Sequence, residues 1–261
     1  MEMRKLFRLL MFALIAILYC SCEKEKSAPN ANWIPGGPWI DTRDGHQYAT
    51  VPIGDQVWMA ENMAYLPSVN KLQDGSEDEG HEDELFYYVN DFDAVNVAAA
   101  KETSYYKQYG VLYNWNAAKT ACPDGWHLPS DEEWMELEIN LGIGADEVNK
   151  YGSRGTDEGM KIKSTWGWDY EAWNDRYGNG TNETGFTGLP GGDRSFNNYI
   201  SYLDTTYQFF KPGHYGFWWS STTSAEGWAW MRSLSCSHDR IDRLEDDKHY
   251  GNSVRCIKSV D

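Results

Sequence analysis

Trp166, Trp168, Tyr170 and Trp173 crowd one short span, and Asn174 and Asp175 follow at once. Flat rings stack on sugar faces while amides and carboxylates take hydroxyls, so this stretch has the chemistry of a saccharide site. The competing reading is that the rings fill the core of a loop-rich domain, which needs large apolar area from few positions. A second cluster is acidic. Between Lys71 and Lys101 there is no Lys or Arg, while Asp74, Glu77, Asp78, Glu79, Glu82, Asp83, Glu84, Asp91 and Asp93 all fall there. Clustered carboxylates suit calcium. The spacing fits no EF-hand loop, because Glu79 stands where the turn glycine belongs, and a solvated acidic loop is the plainer reading.

Signatures of catalysis are missing. The chain has no Gly-x-Ser-x-Gly elbow and no His-Glu-x-x-His helix; Gly142-Ile143-Gly144 and Gly178-Asn179-Gly180 lack a third glycine. The six histidines are scattered, with no pair at metal-ligand spacing. His127, between Trp126 and Leu128, reads as a packed histidine rather than a base. The sequence therefore predicts no enzyme and no cofactor. A net charge of −17 and a pI near 4.7 argue against nucleic acid as a partner, since phosphate binding needs a basic face.

The elements that must position these residues are written in the caps. Ser130 followed by Glu133 is a capping box, Asp131 and Glu132 favour the positive helix end, and Trp134, Leu137 and Leu141 recur at helical spacing until Gly142. An earlier helix ends at Cys122, before a Pro123-Asp124-Gly125 turn. The runs 47–53 and 56–61 predict a hairpin turning at Gly54-Asp55, with Pro52 marking an edge strand. The runs 217–222, 228–235, 240–245 and 253–260 predict a late sheet of four strands. Trp218 and Trp219 face opposite ways in a strand, so at least one is core. Trp58, Trp115, Trp126 and Trp134 read as core. The stretch 143–215 has little periodicity, and a loop so long is either functional or ordered by its own packing.

The N-terminus carries Arg4, Lys5 and Arg8, then an apolar run from Leu9 to Tyr19. A spanning helix needs roughly 20 apolar residues, so this run is too short to remain as an anchor. It leads into Cys20-Ser21-Cys22, which resembles a bacterial lipoprotein signal, cleaved before a cysteine that becomes diacylated. Cys22 follows small Ser21, whereas Cys20 follows bulky Tyr19, so Cys22 is the expected lipidation site. An ordinary secretory signal is the alternative. Residues 1–21 are then signal peptide, 22–38 a flexible tether, and 39–261 a single domain with an acidic insertion at 66–108, expected at the surface. Cys122, Cys236 and Cys256 remain; export to an oxidising place predicts one pair and one cysteine left over.

Several runs occur in a characteristic order. They are Thr42-Arg43-Asp44-Gly45; Val51 to Asn62 with Trp58 and Glu61; Tyr113-Asn114-Trp115 through Trp134; and Leu189-Pro190-Gly191-Gly192-Asp193-Arg194. Gly216-Phe217-Trp218-Trp219-Ser220, Ala229-Trp230-Met231-Arg232 and Ser253-Val254-Arg255-Cys256 complete the set. Together, over roughly residues 40–261, they resemble the Fibrobacter succinogenes major paralogous domain family of bacterial surface and secreted proteins. The helix, cysteine, Leu128-Pro129-Ser130 and helix segment is also similar to the first half of the C-type-lectin-like fold. That resemblance implies an α+β domain with two helices packed on an antiparallel sheet and a long loop region where ligands commonly bind. It also implies a disulfide between Cys122 and Cys256, leaving Cys236 as a buried thiol.

Trp173-Asn174-Asp175 matches a calcium-ligand tripeptide of sugar-binding C-type lectins, but it stands far upstream of the usual place and its companion motif is missing. Formylglycine-generating enzymes have a related fold, and their chemistry needs a close cysteine pair for copper; with Cys122 and Cys256 joined, Cys236 lacks a partner for that role. The expectation is a surface-exposed lipoprotein, anchored in the lipid bilayer of the outer membrane or cell surface. It would act as a non-catalytic binding or adhesion module for glycan or protein ligands through Trp166, Trp168, Trp173, Asn174 and Asp175. A structural component of a surface assembly is the alternative, and a formylglycine-generating-enzyme-like metalloenzyme a third.

Overall fold

The computed structural model describes residues 30, 33–75, 83–171, 176–196, 207–210 and 212–259. Met1–Asn32 and Trp33–Asp261 are separate units, and the helices and strands of the described residues belong to the second. Cys22, the signal and most of the tether lie outside the described residues, as do Trp173, Asn174 and Asp175. Among the described residues no helix is long and apolar enough to cross a membrane.

Among the described residues, side-chain caps start the two longest helices. Asn114 accepts from the Ala117 amide at the head of Trp115–Ala121, and the chain leaves that helix at Cys122. Ser130 opens Asp131–Leu141 with both halves of the capping box: the Glu133 amide donates to Ser130 Oγ at 3.1 Å, and the Ser130 amide donates to Glu133 Oε2 at 2.8 Å. Gly142, at φ 122°, ends the helix where a side chain would be strained. Trp134, Leu137 and Leu141 are buried as the periodicity requires, and so are Asp131 and Glu138 on the same helix.

The late strands Tyr215–Ala225, Trp228–Ser235 and Ile241–Asp247 form an antiparallel meander, extended at its far edge by Gly152–Arg154. The fourth expected strand goes elsewhere. Ile257–Ser259 pairs with Gln56–Met59, which pairs with Thr50–Ile53, so the chain end joins the first hairpin in a separate three-stranded sheet. Pro52 lies in the edge strand of that sheet, where its missing N–H costs no ladder bond. The molecule is thus mixed α+β, with short helices and several antiparallel sheets.

Alternation along the meander divides two cores. Trp218 packs with Trp134, Leu234 and Ile241 on the side of the capped helix; Trp219 packs with Met231, Ala229 and Val254 on the other. Both rings are therefore buried, as are Trp58, Trp115, Trp126 and Trp134. Cys122 and Cys256 form a disulfide with Cα atoms 5.7 Å apart, across 134 residues of sequence. Cys236 is buried outside any disulfide, packed on Gly178, where a Cβ would meet it at 2.4 Å.

Two expectations need correction. The segment 66–108 is not a surface insertion throughout: Leu66, Val69, Ala100 and the run Phe86–Val89 are buried, and Val97–Glu102 and Ser104–Tyr109 are helical. Apolar residues on both sides of the acidic run enter the hydrophobic cores, which a charge count over the whole segment hides. Residues 76–82, the centre of the acidic run, lie outside the described residues. His127 is exposed rather than packed, with Nε2 2.7 Å from Glu133 Oε1, because its neighbours Trp126 and Leu128 take the inward positions.

Candidate functional site

The densest charge in the interior is structural. On the helix-facing side of the meander, Arg232 Nη1 reaches Asp131 Oδ1 at 2.6 Å and Arg243 Nη2 reaches Asp131 Oδ2 at 2.7 Å. Glu138 takes Arg154 on both oxygens, at 2.6 and 2.9 Å, and also Arg232 Nε. Both guanidiniums hold the Asp131 carboxyl below its usual range even though burial opposes this. All four carboxylate oxygens are bonded within the fold, so neither acid is available to a substrate.

The opposite face of the same sheet carries the open site. Phe217, Ser233 and Asp242 are directly paired across three strands, so their side chains form one row on the face away from the arginines. Tyr215 and Leu244 extend the row. The hairpin Asp193–Phe196 with Tyr207–Phe210 stands beside them, in register Asp193 with Phe210. Between sheet and hairpin lies a groove of about 300 Å³, with Phe196, Phe210, Tyr215, Phe217 and Tyr250 as walls and Asp193, Ser195, Ser233 and Asp242 as polar lining. Tyr215 and Phe217, two apart on one strand, stack with centroids 5.6 Å apart and planes within 14°. Phe196 sits on Tyr207 at 4.1 Å and meets Tyr250 edge-on at 6.0 Å.

Asp193 sets the electrostatics of the groove. Only 6% of the residue is exposed, and its Oδ1 has no hydrogen-bond partner among the described residues. Burial pushes its pKa well above the carboxylate range, the nearby Asp246 carboxyl adds to this, and a hydrogen bond with Ser195 opposes it. Burial also raises Asp246 to about 7, although Asn252 Nδ2 donates to its Oδ2 at 2.9 Å. Asp242 accepts from Ser153 Oγ and faces His238 Nε2 at 3.5 Å. Arg194, between these acids in sequence, turns away: its guanidinium donates to the carbonyls of Leu72, His249 and Asp74 and lies 3.4 Å from the Tyr207 ring centroid.

A second cavity, about 400 Å³, is lined by Trp115, Lys119, Glu226 and Lys248 among others. Lys119 and Lys248 sit 4.2 and 4.5 Å from the Trp115 ring, so the protein's own cations already use it. Among the described residues there is no group of three His, Cys, Asp or Glu able to hold a metal ion.

Of the residues expected at the site, Trp166 and Trp168 are described, and the two differ. Trp166 is 47% exposed, but Trp168 is 3% exposed, and its Nε1 donates to Ser164 Oγ and to the Gly188 carbonyl, both at 3.1 Å. Trp168 is a core ring and cannot stack on a ligand; its spacing in the loop gave no warning, because the loop folds back over the sheet. The groove residues were missed because Tyr215 and Phe217 sit in a run whose tryptophans dominate it, and Asp193 sits in a turn motif. The available signal was the alternation of Tyr215 and Phe217 away from Trp218.

The chain is thus an α+β domain whose central meander carries an ion network on one face and an aromatic, acidic groove on the other. Residues 51–258 match the Fibrobacter succinogenes major domain, and the protein belongs to that family. No curated protein and no solved structure matches it. Asn62, Trp218, Ser253 and Arg255, from three of the shared runs, build scaffold: Asn62 Oδ1 accepts from Trp218 Nε1 and Arg255 Nη2, both at 2.9 Å, while its Nδ2 donates to Tyr109 O and Ser253 Oγ.

Proposed function

We propose that this protein is a surface-exposed lipoprotein, anchored through Cys22, that acts as a non-catalytic binding module with a glycan seated in the aromatic groove. The observation that carries the reading is a concavity walled by five aromatic rings around a buried carboxyl whose Oδ1 has no partner among the described residues. Concave, mainly apolar sites with a few placed polar groups are where small ligands bind. Flat rings with carboxylates and hydroxyls beside them suit sugars better than an extended peptide, which needs a sheet edge or a longer trough. A C-type-lectin-like topology is the finer fold reading. Its support is the disulfide from the end of helix Trp115–Ala121 to the residue preceding the last strand. Residence in the outer membrane or at the cell surface rests on the signal pattern ending at Cys22.

A role as a structural component of a surface assembly has its own support: Trp228 and Tyr151 are exposed near the free end of the meander, and Tyr151 lies against Trp230 at 6.3 Å. A glycan array with the mature protein separates the two. Glycan binding that Phe217→Ala reduces about tenfold or more, with unchanged near-ultraviolet circular dichroism, is the expected result. Array binding untouched by Phe217→Ala but lost on Trp228→Ala would move the site away from the groove.

A further inference from the structure

We propose that the groove selects saccharides bearing a free amino group, the ammonium resting on the aromatic walls and against the unpartnered Asp193 oxygen. The proposal rests on the glycan reading above and names its ligand class.

Charge balance is the argument. Asp193 and Asp242 line the groove, and among the described residues no Lys or Arg does. Among the described residues, the arginines around the groove are committed elsewhere. Arg194 spends its guanidinium on three carbonyls. Arg232 and Arg243 lie across the sheet on Asp131. His238 Nε2 lies 3.5 Å from Asp242 Oδ2, and the nearby Asp246 adds a further acid to Asp193. A buried carboxyl oxygen left without a donor is costly, and a ligand that supplies one recovers that cost. A neutral hydroxyl can donate one hydrogen bond. An ammonium donates up to three, is attracted by ring faces, and offsets the acids together.

At about 300 Å³ between five aromatic walls, the groove is wider than the narrow sleeve a lysine side chain needs, which favours a sugar. Burial favours the protonated form of Asp193, so an ammonium held beside it shifts the carboxyl toward its charged form and releases a proton to solvent. Affinity therefore rises with pH up to the point where the ligand's own amine loses its charge.

The test is calorimetric titration of the mature, full-length protein with glucosamine, N-acetylglucosamine and glucose oligomers of equal length. Repeating it in buffers of different ionisation enthalpy counts the released protons. The expected result is that the glucosamine oligomer binds about tenfold or more tightly than the other two, with proton release, and that Asp193→Asn removes the preference. If Asp193→Asn fails to fold, proton release by the parent still decides. Equal binding of glucose and glucosamine oligomers without proton release overturns the amino-sugar assignment and leaves the glycan reading standing. Absence of binding by any oligomer, together with a negative glycan array, sinks both. Preferential binding of a lysine-containing peptide transfers the ammonium to a protein partner and overturns the saccharide.

Discussion

Arg232 Nη1 lies 2.6 Å from Asp131 Oδ1 with both side chains almost wholly buried, so the first turn of the capped helix is tied to the middle of the meander by charge. The helix dipole favours the carboxylate there, and Arg243 closes on its second oxygen at 2.7 Å. Removing one member strands the others in the interior. Asp131→Ala is expected to cost about 3 to 5 kcal/mol in urea unfolding. Because the folded pKa of Asp131 is depressed, its contribution is present above the unfolded value of about 3.9 and is lost as pH falls through the folded value. Parent and variant unfolding curves should therefore converge on acidification below about pH 4. A constant gap between them down to the lowest accessible pH would remove the carboxylate from this role.

The disulfide joins the end of one helix to the residue before the last strand, closing 134 residues of sequence. In the chain-entropy account a loop that long is worth about 4 to 5 kcal/mol. Alkylation under denaturing, non-reducing conditions is expected to label Cys236 and spare Cys122 and Cys256. Reduction should then lower the unfolding midpoint markedly, and Cys236→Ala should not reproduce that loss. Three labelled cysteines before reduction would contradict the bridge.

Lipid anchoring is tested through Cys22→Ala. The variant should still be exported but should leave the membrane fraction, because stable attachment takes more than one acyl chain and this cysteine would carry them. Detergent-phase partitioning equal to the parent's would place the anchor elsewhere.

Local grammar makes much of the scaffold legible. Ser130 and Glu133 announce a helix start, Pro52 an edge strand, and adjacent Trp218 and Trp219 a strand with a core on one side at least. Those signals act over a few residues. The fate of the last strand is not local: nothing within Ile257–Ser259 says that it pairs with Gln56–Met59 instead of the meander. The groove is hidden for the same reason. Phe217, Ser233 and Asp242 become neighbours only through strand register, and Asp193 reaches them from a hairpin. Trp168 misleads because abundance of rings in a loop says nothing about which are inward, and its indole N–H finds its acceptors within the fold.

Asp246 gives the opposite pH signature from Asp131. Burial raises its folded pKa to about 7, with Asp247 adding repulsion and hydrogen bonds from Asn252 and the Asp247 amide opposing it. A carboxyl raised in this way stabilises fully below the unfolded value of about 3.9, and its contribution is lost as pH rises through about 7. Asp193 faces it from the hairpin and titrates in the same sense. An amide mimics the protonated acid, and Asn252 Oδ1, which lacks a partner among the described residues, gains a possible donor. Asp246→Asn is thus expected to raise the unfolding midpoint at about pH 8 and to leave it near the parent's at about pH 4. The difference between the two proteins isolates this group from the Asp131 network, which both retain. Equal midpoints at the higher pH, or a variant less stable there than the parent, would show that Asp246 is ionised in the native fold without cost.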